Sequence, residues 1–184
     1  MRRLGLAFAL MALGACAKNG NPAVASAPPG SATPRAGIVV TSPAFVANGD
    51  IPLKYTCQGA GVSPPLQWKN VPPEAKELAL VLFDPDAGTG GFLHWVVFKI
   101  APTVTSLPEG SLPAGVREAK NGAGKASYLG PCPPAGKVHH YRFTLSVLYA
   151  PIDLPDGADG GAVRKQITNT SIADGVLVGL YQRR

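Results

Sequence analysis

From residue 139 to residue 150 the side chains change character with a period of two. His139, Tyr141, Phe143, Leu145 and Val147 fall on one face of an extended chain, and His140, Arg142, Thr144 and Ser146 fall on the other. A helical period would scatter these two sets around a cylinder, so the segment predicts a long strand with one buried face. The shorter apolar runs agree. Residues 38–41, 53–56 and 66–68 predict brief strands. Residues 77–83 are almost continuously apolar, which predicts a central strand buried on both faces. Residues 93–100 predict its returning neighbour across a glycine-rich loop, 84–92. The 22 glycines and 19 prolines leave little room for long helices. Short ones are expected only at 161–168 and 171–175. The expected fold is mainly β, sheet packed on sheet, with a few short peripheral helices and no internal repeat.

The N-terminus predicts an address. Arg2 and Arg3 precede an apolar run over 4–13. That run is too short to span a bilayer, which takes roughly 20 apolar residues, and it has the form of a secretory signal. Leu13-Gly14-Ala15-Cys16 has the form of a bacterial lipobox. In such a sequence the cysteine thiol forms a thioether to diacylglycerol, and Cys16 becomes the first residue of the mature chain. Several acyl chains, palmitate among them, hold where one holds only marginally. An ordinary signal peptide with a chance cysteine is the alternative. Ala17, rather than Asp, after the cysteine favours the outer membrane, facing the periplasm. Residues 17–37 are rich in Ala, Pro, Ser, Gly and Asn and have too little apolar surface to offset their ordering entropy. They predict a tether of about 20 residues reaching roughly 25 Å. The expected organisation is a lipoprotein signal (1–15), a lipidated cysteine and tether (16–37), and one domain (38–184).

That domain, about 145 residues, is long enough to bury a self-sufficient core without a metal. The formal charge of +6 falls by two when Arg2 and Arg3 leave with the signal. The remaining basic residues are scattered, which argues against nucleic acid and is compatible with small anions or anionic head groups. Cys57 and Cys132 are the one possible internal pair, in a compartment where disulfides persist. Spacing alone leaves a bridge and two separate thiols both open, because it does not place the Cα atoms within the required ~6 Å.

Chemistry-bearing residues gather in two stretches. Asp84-Pro85-Asp86 closes the central strand and is followed by His94-Trp95. Gly130-Pro131-Cys132-Pro133-Pro134 precedes His139 and Tyr141. A carboxylate can fix an imidazole tautomer, and imidazole and phenol can donate to an oxyanion. Backbone N–H groups near Gly130 can join them where glycine lets a ligand approach. The plainer readings are Asx-turn chemistry for Asp84 and Asp86, and a core His–Tyr pair. No Gly-x-Ser-x-Gly elbow and no His-Glu-x-x-His motif occurs, so neither a catalytic residue nor a cofactor is expected. Zinc on Asp84, Asp86, His94 and His139 is a weaker alternative.

Together with Tyr55-Thr56-Cys57, Ser63-Pro64-Pro65-Leu66-Gln67-Trp68, Leu78-Ala79-Leu80-Val81-Leu82 and Leu177-Val178-Gly179-Leu180-Tyr181, these stretches resemble the phosphatidylethanolamine-binding proteins. The resemblance is to their bacterial, Raf-kinase-inhibitor-like branch and covers 38–183. It implies a β-sandwich with an anion pocket formed by Asp84, His94, the Gly130-Pro131 segment, His139 and Tyr141, with Asp86 and Tyr128 in secondary places. It further implies that the pocket takes phosphate-type ligands or phospholipid head groups; a partner protein competing at the rim is an added expectation of the binding reading. Two features depart from the family pattern. Asn121-Gly122-Ala123-Gly124 lacks the acid and the aromatic ring usual before Tyr128, and His140 stands where an arginine is usual. His140 alternates away from His139, so it is left out of the pocket. The expected function is that of an envelope lipoprotein binding small anions, anchored to membrane through Cys16. Inhibition of a protease or another enzyme is the alternative, and acid–base hydrolysis a weaker one.

Overall fold

The computed structural model describes residues 37–184. The expected signal peptide, Cys16 and nearly all of the tether lie outside the described residues.

The run at 77–83 forms β3 (Glu77–Asp84), flanked by β4 (Phe92–Ile100) and β7 (Val138–Leu148). Being central, β3 is buried on both faces, which explains its unbroken apolar sequence. The five-stranded antiparallel sheet has the order β6-β4-β3-β7-β8, with β6 at Arg117–Ala119 and β8 at Ser171–Gln182. A smaller antiparallel sheet, β1-β2-β5, comprises Val39–Thr41, Leu66–Lys69 and Ser106–Leu107.

The period-two pattern of the larger sheet, clearest in β3, sorts its side chains between two cores. Tyr141, Phe143, Leu145 and Val147 join Leu78, Leu80, Leu82, Trp95 and Val97 in the main core, against Val40, Leu66, Trp68 and Leu107 of the small sheet. On the opposite face Ala79, Val81, Val96 and Phe98 pack with Val163 and Ile167 of α1 (Gly160–Thr170). Asp159 caps that helix, its Oδ1 accepting the Ala162 N–H at 2.8 Å. The fold is therefore mainly β, with one helix on the outer face of the larger sheet.

Two expectations are corrected, and two further features were not expected. Residues 53–56 are no strand: Leu53–Tyr55 make a 3-10 turn that the Thr56 hydroxyl closes on the Leu53 carbonyl at 2.9 Å. Residues 171–175 are no helix. They begin β8, where pairing of Ser171 with Leu148 and of Gly175 with Leu145 overrides the local pattern. β8 has 12 residues to the 11 of β7, so the longest strand is the last one. β5 and β6, two and three residues long, were not anticipated, because so few residues carry no readable period.

Candidate functional site

Asp84 is the last residue of β3, His94 stands early in β4 and His139 early in β7. Since β3 runs between the other two, its end lies between both imidazoles. Asp84 Oδ2 is 2.7 Å from His139 Nδ1 and 3.9 Å from His94 Nε2. His94 Nδ1 is 2.8 Å from the Leu129 carbonyl oxygen. A carbonyl only accepts, so His94 Nδ1 carries a hydrogen, and an ionised Asp84 requires the same of His139 Nδ1. In the neutral rings Nε2 is then the bare nitrogen. Asp84 Oδ1 accepts the Asp86 N–H at 2.9 Å, so the Asx-turn reading and the pocket reading hold for one residue at once. All three side chains are buried.

They meet at a cavity of about 610 Å³. Phe92, Leu129, Pro133, Pro134 and the disulfide give it an apolar wall, and Asp86 and Lys137 reach it from the rim. Tyr141 lies at its floor, fully buried, its ring centroid 5.3 Å from that of His94 and 6.4 Å from that of His139. Its hydroxyl has no hydrogen-bond partner among the described residues. Burial, then the negative charge of Asp84 and the approach of its carboxylate, which falls short of hydrogen-bond geometry, hold the phenol far above its ordinary value, so it remains a donor. Burial also pushes the His94 imidazole below its ordinary 6.5, opposed by the Leu129 bond and the Asp84 charge and aided by His139.

The other expected residues divide. Gly130 lines the cavity, and a Cβ there would stand 2.8 Å from the Tyr55 carbonyl oxygen and 3.0 Å from the Thr56 carbonyl carbon. Glycine at this position lets two backbones touch. Pro131 is not among the lining residues, and its carbonyl accepts the Cys57 N–H at 3.0 Å. Tyr128 lines the cavity while its hydroxyl is bound to the Tyr55 carbonyl at 2.8 Å. Asp86 accepts both the backbone N–H and Nδ1 of His140, at 2.7 and 2.8 Å, bonds that lower its pKa. His140 itself is exposed and outside the cavity lining. The open question at the cysteines closes: Cys57 and Cys132 are bonded, with Cα atoms 5.4 Å apart. Among the described residues no group of three or more His, Cys, Asp or Glu could hold a metal ion. Lys137, Phe92 and Leu129 were missed. Leu129 acts through its carbonyl, which no side-chain pattern reports. Lys137 is a lone charge in a turn.

Known proteins share the sequence and the fold of this chain. The family model described as phosphatidylethanolamine-binding protein matches residues 41–182. The Mycobacterium tuberculosis protein named "Putative lipoprotein LppC" is 43% identical over 146 residues, covering 79% of this chain and 72% of its own length. A protein of Methanothermobacter thermautotrophicus named only UPF0098 is 44% identical over 145 residues, covering 76% and 95%. The crystal structure of E. coli YBCL, described as a member of the mammalian PEBP family, superposes with a TM-score of 0.77 at 32% identity, covering 81% of this chain and 100% of that one.

Proposed function

The chain belongs to the phosphatidylethanolamine-binding protein family, and from that premise we propose that it binds a small anionic ligand, a phosphate-type group or phospholipid head group, in the cavity below Asp84, His94 and His139. The Tyr141 hydroxyl carries this reading. A buried donor left unpaired costs about 1–3 kcal/mol, so its place at a cavity floor favours a ligand oxygen as its partner. Lys137 at the rim, the Tyr141 hydroxyl and an imidazole once protonated supply the means to hold negative charge, and the apolar wall suits the organic part of a phosphate ester. Binding is favoured over turnover because neither imidazole hydrogen-bonds a serine, threonine or cysteine: their Nδ1 partners are Leu129 and Asp84. Calorimetric titration with inorganic phosphate and with phosphoethanolamine tests the site. Tyr141→Phe is expected to bind about tenfold or more weakly, since a hydrogen bond to a charged group contributes about 1.5–3 kcal/mol. Equal affinity in the two proteins would remove the pocket from consideration.

The same proposal includes the envelope address. It is supported by the Leu13–Cys16 sequence, by a relative named as a lipoprotein, and by a disulfide of the kind that persists in oxidising compartments. Cys16→Ser is expected to abolish lipidation and move the protein from membrane to soluble fractions. Unchanged mass and fractionation would reject the anchor.

A further inference from the structure

Granted the anion reading above, the floor of the cavity poses a problem of charge. His94 has committed its Nδ1 hydrogen to the Leu129 carbonyl, and His139 has committed its own to Asp84. With both rings neutral, the buried side chains at the floor offer, among the described residues, two bare Nε2 atoms and a carboxylate, all acceptors, against the Tyr141 hydroxyl as donor. His94 Nε2 and Asp84 Oδ2 face each other across 3.9 Å with no hydrogen between them. An oxyanion arriving there meets lone pairs and a negative charge.

We propose that the pocket takes its anion only together with one proton, placed in the gap shared by His94 Nε2, Asp84 and the ligand. A non-titrating oxyanion draws that proton from solvent onto His94 Nε2, giving an imidazolium that donates to the ligand or to Asp84. A phosphomonoester can instead bring the proton itself, entering as its monoanion rather than its dianion. The favoured ligand class is thus the singly protonated oxyanion, and His94 is the residue that sets this preference.

The surroundings of His94 fit such a poised state. From β3 it is faced by Asp84, and from β7 by His139 and Tyr141. Phe92 covers it edge-on at 4.9 Å. Tyr128, Asp86 and Lys137 share the cavity, Asp86 being tied to His140. Burial opposes the imidazolium most, and His139 adds to it, while the Leu129 bond and Asp84 favour it. The free pocket therefore keeps His94 neutral near pH 7, and a bound anion tips it.

Calorimetric titration of the purified protein with sulfate, which carries no titrating proton near neutrality, decides the matter. It is run from about pH 6 to about pH 8 in two buffers of different ionisation enthalpy, beside inorganic phosphate. Sulfate affinity is expected to rise as pH falls, by up to about tenfold per pH unit, with measurable proton uptake. His94→Asn keeps a donor for the Leu129 carbonyl but has no titrating nitrogen, and is expected to flatten that dependence. Phosphate accepted as its monoanion while sulfate is refused would put the same proton on the ligand and also support the proposal. Sulfate bound with constant affinity and no proton uptake would overturn it and leave the anion reading standing. Failure of both ions to bind at every pH would overturn both. The buffer comparison needs only the wild-type protein, so it stands even where the variant misfolds.

Discussion

A phenol hydroxyl that is buried without a partner weakens the fold and at the same time waits for a ligand. Tyr141 is such a residue. Tyr141→Phe, expected to bind phosphate more weakly, is therefore also expected to be more stable than wild type by about 1 kcal/mol, because it removes an unsatisfied donor and keeps the ring. Denaturant midpoints measure this. A less stable variant would mean that the hydroxyl already has a partner and is no ligand handle. Glu77 shows the opposite use of a buried polar group. Its Oε1 accepts the Lys99 N–H at 2.9 Å and its Oε2 the Ile152 N–H at 3.3 Å. Burial raises its pKa in spite of these bonds. Lys99 sits at a positive φ of 57° beside a register shift between β3 and β4. The acid thus fastens an irregular turn of the sheet, a structural task that its place at the head of an apolar run does not announce.

Among the strands, β8 depends most on what it omits. Gly175 and Gly179 alternate with Leu177 and Tyr181 on its core face. A Cβ on Gly175 would stand 2.7 Å from the Ile38 carbonyl oxygen, and one on Gly179 would stand 2.5 Å from Ile51 Cγ1. The gaps let the chain over 38–51 lie directly on the strand. There the Asn48 and Ile51 N–H groups bond the Val178 and Leu180 carbonyls at 2.8 and 2.7 Å, covering what would otherwise be an open edge. Gly175→Ala is expected to cost about 1–3 kcal/mol. Gly179→Ala should cost less, since a Cβ there meets the side chains of Ile51 and Phe45, which can yield by small shifts, whereas one on Gly175 meets the main-chain Ile38 carbonyl. Thermal unfolding of the two variants checks the order. Unaltered stability in Gly175→Ala would mean that Ile38 is not seated on β8 as described.

At the scale of the whole molecule, one loop is tied down three times. The segment carrying Tyr128, Gly130 and Cys132 is held to the 53–57 turn by the Tyr128 hydroxyl bond, by the Cys57–Pro131 backbone bond and by the disulfide. The turn is anchored in its own right through Tyr55 and Lys54 to Glu109, at 2.7 and 2.5 Å. The disulfide spans a sequence separation of 75 residues, for which chain-entropy arguments give a stabilisation of about 4 kcal/mol. The double variant Cys57→Ala, Cys132→Ala is expected to lose that amount in urea unfolding. Its anion affinity should fall less than that of Tyr141→Phe, because the polar floor is borne by β3, β4 and β7 rather than by the braced wall. Undiminished stability would count against a bridge closing this loop.

Much of this could be known before any coordinates. The alternation at His139–Val147, the unbroken apolar run of β3 and the strand-end placement of Asp84, His94 and Tyr141 are local properties. Burial on one face or two writes itself directly into side-chain order. Local order failed where distant segments decide the outcome. Ser171 enters a strand because Leu148 waits across the ladder. Gly130 is fixed by the backbone of Tyr55 and Thr56. The tautomer of His94 is set by the carbonyl of Leu129, an atom every residue possesses. Periodicity tells which way a side chain faces. Main-chain groups carry no such signature, so their meetings across the fold, and the proton chemistry that follows from them, belong to tertiary structure alone.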